Sequence, residues 1–218
     1  MKRHTIAVSL GALLFTGLML APPARAHEAK AATAPTMSAT DLRNGMRKLW
    51  LDHTTFTRSF IISAVAGLPD LPTITQRLLR NQDDIGNAIK PIYGDEAGKK
   101  LAALLRDHIL IAADITKAAK ASDTKAVEAG QKKWHANADD IAAFLAAANP
   151  NWKKPTLTDH LYKHLDYVTA QVVDRIKADW PADIQAFDKG NDHMLMFADE
   201  LSEGIIKQNP KKVIISEK

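Results

Sequence analysis

Apolar residues recur along most of this chain at steps of three and four, the spacing that puts side chains on one face of an α-helix. In the first such stripe Leu42, Met46, Leu49, Phe56, Phe60 and Ala64 surround His53, which occupies a position where the period asks for an apolar side chain. Two later stripes do the same: Leu101, Leu104, Ile111 and Ile115 surround His108, and Leu157, Leu161, Val168 and Val172 surround His164. Each is followed by a stripe with its own polar member. Asn81 sits among Ile74, Leu78, Ile85 and Ile89, Asn137 among Trp134, Ile141 and Leu145, and His193 precedes Phe197 and Leu201. The two polar positions are 28, 29 and 29 residues apart in the three units. The pattern predicts an all-α, antiparallel bundle of about six helices, built from three helical hairpins. Each hairpin carries a His on its first helix and Asn or His on its second.

Punctuation sets the expected boundaries. Helix 1 runs from Thr40-Asp41 to about Ala66, ahead of Gly67-Leu68-Pro69, and helix 2 from Thr73 to Lys90, where Pro91 is expected to stop it. Asp95 is the expected cap of helix 3 and Ser122 that of helix 4, which ends at Ala148 before Asn149-Pro150-Asn151. Helix 5 spans about 158–177, and helix 6 starts at Asp179-Trp180-Pro181 with proline in its first turn. Residues 40–208 thus form a single domain and 209–218 a tail, in which only Val213–Ile215 has strand character. Both a six-helix up-and-down bundle and a four-helix bundle with an appended hairpin satisfy these stripes.

The first 26 residues read as a signal peptide: Lys2 and Arg3, an apolar run from Ile6 to Leu20, and the small-x-small site Ala24-Arg25-Ala26. Residues 27–39 read as a flexible leader. The expected destination is the periplasm or the exterior, and no later run is long enough to span a bilayer. Three of the 29 Lys and Arg lie in the signal segment and none of the 25 Asp and Glu does. The processed chain is therefore nearly neutral, at 26 positive against 25 negative residues. That removes the electrostatic case for a nucleic-acid partner. Other partners and the oligomeric state are not specified by the sequence. With no cysteine there is no disulfide framework and no lipid-attachment thiol.

Buried polar groups need partners, because leaving one unsatisfied costs about 1–3 kcal/mol. The recurring His and Asn are expected to satisfy one another, with Arg58 and Asp166 as further candidates. In the simplest case they form a hydrogen-bonded network, centred on His53, His108, His164, Asn81, Asn137 and Arg58, that fixes the register of the hairpins. The sharper expectation is a transition-metal site of zinc, copper or iron. Its ligands would come from His53, His108, His160, His164 and His193 with Asp84 or Asp140, each acid three residues after its Asn. His160 and His164 are spaced i,i+4, and His193 and Met196 i,i+3, the latter pair favouring copper. His27 would add a chelating amino terminus after processing. The Glu-x-x-His pairs of diiron bundles are missing, since none of the six Glu precedes a His by three.

Catalytic signatures do not emerge. Gly94-Asp-Glu-Ala-Gly98-Lys99-Lys100 is one residue short of a phosphate loop, carries Lys where Ser or Thr would bind magnesium, and follows no strand. Asp83-Asp84 and Asp139-Asp140 are expected to have one inward and one solvated member each. Trp50, Trp134, Trp152 and Trp180 are expected to anchor the core and the hairpin packing. An enzyme using the buried His and Asp would need a cleft opening onto them.

Five runs, LWLDHTTFTR, RLLRNQDDIGNAIKPIYG, LLRDHILIA, WHANADDIAAFLAAANPNW and HMLMFADELSEGIIKQ, together resemble a family of small bacterial, all-helical proteins whose activity is uncharacterised. The resemblance covers nearly the whole processed chain and implies the helical fold. Some members bear names such as acetylglutamate kinase or glycosyltransferase. A kinase needs a phosphate cradle and metal-binding acids on a mixed α/β scaffold, and this chain has neither. Phe56 stands where the family pattern has Trp, a packing change. The expectation from sequence is a non-catalytic metal-binding or envelope-stress accessory protein, or a structural or interaction module whose polar core sets register.

Overall fold

A computed structural model describes residues 37–214; the expected signal peptide and cleavage site, the expected leader as far as residue 36, and residues 215–218 lie outside the described residues. Six helices fill the described chain: α1 (Ala39–Ala66), α2 (Leu71–Tyr93), α3 (Asp95–Lys120), α4 (Thr124–Ala148), α5 (Lys154–Ile176) and α6 (Trp180–Gln208). Local chemistry explains most of their ends. The Ser38 hydroxyl accepts the Asp41 N–H at the start of α1, and the carboxylates of Asp123 and Asp179 accept from Ala126 and Ala182 at the starts of α4 and α6. Asp123, one residue later than expected, displaces Ser122 as the α4 cap, and Gly94 rather than Asp95 occupies the cap position of α3.

Pro91 does not stop α2, which continues to Tyr93. The bond that proline removes is the one to the carbonyl of Asn87, an exposed residue where water can replace it, and Gly94 closes the turn by donating to the Lys90 carbonyl at 2.8 Å. Helix α5 starts four residues earlier than expected, because Pro155 falls in its first turn, where no N–H is needed.

Each helix packs on its neighbours in sequence and α6 closes back on α1, so the six helices make one up-and-down ring. In addition α1, α3 and α5 touch one another. The first helices of the three hairpins thus meet at the centre of the bundle, which sets aside the four-helix alternative. At one end a parallel two-residue pair, β1 (Met37–Ser38) with β2 (Val213–Ile214), joins the start of α1 to the chain beyond α6. At that end too, the Tyr93 hydroxyl donates to Gln208 at 2.8 Å and accepts from Asn149 at 2.9 Å, tying together the final residues of α2, α4 and α6. Trp50, Trp134 and Trp152 are buried as expected; Trp180 is half exposed, lying over the Arg175 guanidinium at the surface instead of anchoring the core.

The hairpins repeat in detail. Gly67, Ser122 and Ala178 each lie 14 residues after the central His of their unit, and each takes the left-handed conformation at the hairpin turn, with φ of 71°, 57° and 59°. Glycine suits this position, whereas a Cβ there is strained. Replacing Ala178 with Gly should therefore stabilise the protein by about 0.5–1 kcal/mol, seen as a rise of about 1–4 °C in Tm by calorimetry. Gly67→Ala should shift Tm in the opposite direction.

Candidate functional site

His53 on α1, His108 on α3 and His164 on α5 come together where the three inner helices meet. All three are buried, none more than 4% exposed. The His164 ring lies 5.4 Å from that of His53 and 5.9 Å from that of His108, between centroids, and the Nε2 atoms of His53 and His164 face each other at 3.4 Å. Trp50 packs edge-on against His53, and Trp134 leans on His108 while its indole N–H donates to the His108 carbonyl.

The second helices hold the first by one repeated bond. The Asn81 amide donates to the Leu49 carbonyl at 3.0 Å, the Asn137 amide to the Leu104 carbonyl at 3.0 Å, and His193 Nε2 to the His160 carbonyl at 2.9 Å. Leu49, Leu104 and His160 stand four residues before His53, His108 and His164. Each accepting carbonyl is therefore also the helical partner of the buried histidine's own N–H. Three hairpins share one joint.

Hydrogen bonding assigns the proton on the His108 ring. The Asn137 amide nitrogen is committed to Leu104, so its oxygen faces His108 Nδ1 at 2.8 Å. That nitrogen carries the proton, leaving a bare lone pair on His108 Nε2. The Gln82 amide nitrogen donates to Leu78 and to Asn81 and stands 3.4 Å from His53 Nδ1. Both Gln82 amide hydrogens are thus spent on Leu78 and Asn81, and the nitrogen's approach to His53 Nδ1 is the longest of its three contacts. His164 also lines a cavity of about 10 Å³ with Thr54, Thr57, Gln171 and Asn191, room for one water molecule. Thr57 Oγ1 and Gln171 Oε1 are buried there without protein partners, and Gln82 Oε1 is buried without a partner beside His53.

Burial makes these imidazoles neutral. It pushes His53 down to about 3, with the neighbouring His108 adding to the effect and the Gln82 contact opposing it. It pushes His108 down to about 4 against the Asn137 bond. His164 falls well below the ordinary histidine value through burial and then through repulsion from His53, His108 and His193. No carboxylate contributes to any of the three shifts.

Several expected members stand apart from this centre. His160 is half-buried and binds Glu200 through Nε2 at 2.8 Å, and its ring lies 5.1 Å from that of His193, so these two form a separate cluster on the α5–α6 seam. Asp84 and Asp140 make no hydrogen bond to an imidazole, and Asp140 is exposed. Three residues beyond their Asn, both turn off the inward line that Ile85 and Ile141 continue. Arg58 forms a bidentate pair with buried Asp183, shared with Arg175, away from the imidazoles. Asp166 is exposed, and Met196, 57% exposed, points away from its expected partnership with His193. Among the described residues no three His, Asp or Glu side chains already surround one point as metal ligands. Sequence periodicity did not single out Gln82, Thr57, Gln171 or Asp183, although the first directly follows Asn81.

Compared with protein-family models, with curated proteins and with solved structures, the chain matches none.

Neutral burial makes the fold acid-sensitive, and the sign is fixed. In the unfolded chain these histidines bind protons near pH 6.5, while in the folded chain His108 and His53 bind only near 4 and 3. Below pH 6.5 the unfolded state holds more protons, so stability falls with pH, by about 1.4 kcal/mol per unit for each group. Chemical denaturation between pH 7 and 4.5 should show a combined slope of about 3 kcal/mol per unit from these two histidines below pH 6. Substituting His108 with Gln should remove about half of it.

Proposed function

We propose that this chain is a non-catalytic structural or protein-interaction module, exported after removal of its N-terminal segment. Three equivalent bonds from its outer helices set the register of the hairpins, and the buried imidazole layer beside them makes the fold conditional on external pH. The observation that carries this reading is the repeated joint, in which Asn81, Asn137 and His193 each grip the carbonyl four residues before a buried histidine. A polar group buried in a helix interface penalises every register that leaves it unpaired. Three equivalent bonds penalise slippage of each hairpin separately.

The surroundings of the imidazoles also favour a role without substrate turnover. The cavity at His164 holds about one water, too little for a substrate to reach the rings. The acids nearest to the expected site either face solvent or are engaged elsewhere. An exported protein meets the acidity outside the cell directly, and a core of neutral histidines converts that acidity into loss of fold.

The equivalence of the three joints is testable at the odd position. His193→Asn puts at the third joint the residue already used at the other two, and should change stability by less than about 1 kcal/mol. His193→Leu, which cannot donate to the His160 carbonyl, should cost about 1–3 kcal/mol. Urea denaturation at pH 7.5 reads both; equal losses for the two variants would sink the register reading.

A further inference from the structure

Two buried oxygens that no group of the protein satisfies lie on the wall of one small cavity. Thr57 Oγ1 reaches it from α1 and Gln171 Oε1 from α5, and His164 lines it beside them. We infer that this cavity binds one water molecule, held by Thr57, Gln171 and a ring nitrogen of His164, and that this water is the port through which protons reach the buried imidazole layer. Such a port rests on the acid-sensitive layer proposed above and adds the route by which that layer meets the medium.

Size and chemistry select the occupant. The cavity offers about 10 Å³, the space of a single water-sized sphere. A buried water needs two to four polar partners. Thr54, on the same wall, is already engaged, since its hydroxyl meets Asn191 Oδ1 at 2.7 Å. The Gln171 amide nitrogen donates to the Tyr167 carbonyl at 3.4 Å, which fixes the opposite end of the amide, its oxygen, as the one left over. A water there donates to Gln171 Oε1 and accepts from the Thr57 hydroxyl. Its third partner is His164, whose Nε2 is turned to His53 at 3.4 Å, so that Nδ1 is the nitrogen left for the cavity. A hydrocarbon in the same space would leave both oxygens stranded. An ion would bring charge to a wall that carries no countercharge.

Position makes this water a route. The outer wall of the cavity, on the α5–α6 seam, holds Tyr167 and Asn191, both only partly buried. Gly190 adds no side chain to that wall, where a Cβ would press on Tyr167 at 3.2 Å and stand 3.7 Å from Gln171 Nε2. The inner wall is His164, and Tyr167 is the only other titratable side chain on the lining. Facing His164 are His53 from α1 and His108 from α3, with ring centroids at 5.4 and 5.9 Å, and His193 from α6. A proton delivered to the water passes to a ring nitrogen of His164 and leaves the water neutral. Repulsion from the other three rings keeps His164 from holding that proton, and the contact between Nε2 atoms leads on to His53. His108 has no such access, because Asn137 closes its Nδ1 at 2.8 Å and its ring does not line the cavity.

Two measurements on the full chain at pH 7.5 test the port. A high-resolution crystal structure reads occupancy of the cavity, and saturation transfer from solvent, in ¹H–¹⁵N spectra, reads exchange of the imidazole N–H protons. We expect one ordered water within hydrogen-bond distance of both Thr57 Oγ1 and Gln171 Oε1. The His164 ring N–H should exchange about 10-fold faster than that of His108. Combining Thr57→Val with Gln171→Leu should expel the water and slow His164 exchange by about 10-fold, leaving the His108 rate unchanged. A dry cavity overturns the port, and so does a His164 ring that exchanges no faster than His108. An unchanged His164 rate in the double variant overturns it as well. Where that variant does not fold, the first two results, read on the unmodified protein, decide the matter. Failure of the acid-sensitive reading shows elsewhere, as a flat stability between pH 7 and 4.5, and imitates none of these results.

Discussion

The structure depends on one hydrogen bond made three times: a side chain on the outer helix of a hairpin donates to a carbonyl on the inner helix, one turn before a buried histidine. An apolar stripe alone would let paired helices slide by a turn with little change in buried area. A donor with a single acceptor in reach removes that freedom, because slippage strands a polar group in a medium that cannot solvate it. The bond also decides where the histidines stand. With the carbonyl fixed, the imidazole one turn on projects to the junction of α1, α3 and α5. The polar layer is thus a consequence of the joint rather than an independent feature.

Most of the architecture was legible in the alternation of apolar and polar positions. The period of the stripes defines the helices, and the near-constant distance from His to Asn or His defines the hairpins. What periodicity reports is depth; it does not say which neighbour a buried residue meets. His160 and His164 share a face of α5 by spacing, yet the first lies on the seam with α6 and the second in the central layer. Asp84 and Asp140 were drawn towards the centre by proximity to an Asn, but a helix turns three residues through most of a circle and carried them to its flank. Gln82 was hidden for the opposite reason. Helix α2 packs on both α1 and α3, so two adjacent positions can face inward, and a single apolar stripe does not register the second.

Turns were harder to read than faces. Glycine at position 67 advertises a left-handed residue, but Ser122 and Ala178 do not, although they occupy the same place in their hairpins. The three become equivalent only once the units are aligned on their histidines. Pro91 shows the converse: a strong breaker loses its effect within a few residues of a helix end, where the bond it deletes falls on an exposed carbonyl.

Why histidine rather than leucine at the centre is a question of energetics. An imidazole in a dry layer needs partners for two nitrogens and loses its charge, so it lowers stability in acid, where leucine would not. Register does not require it, since Asn81, Asn137 and His193 already supply that constraint from the outer helices. Thus the inner histidines contribute what a hydrocarbon cannot: polar ring nitrogens at the meeting point of three helices, and a stability that falls as the medium turns acid.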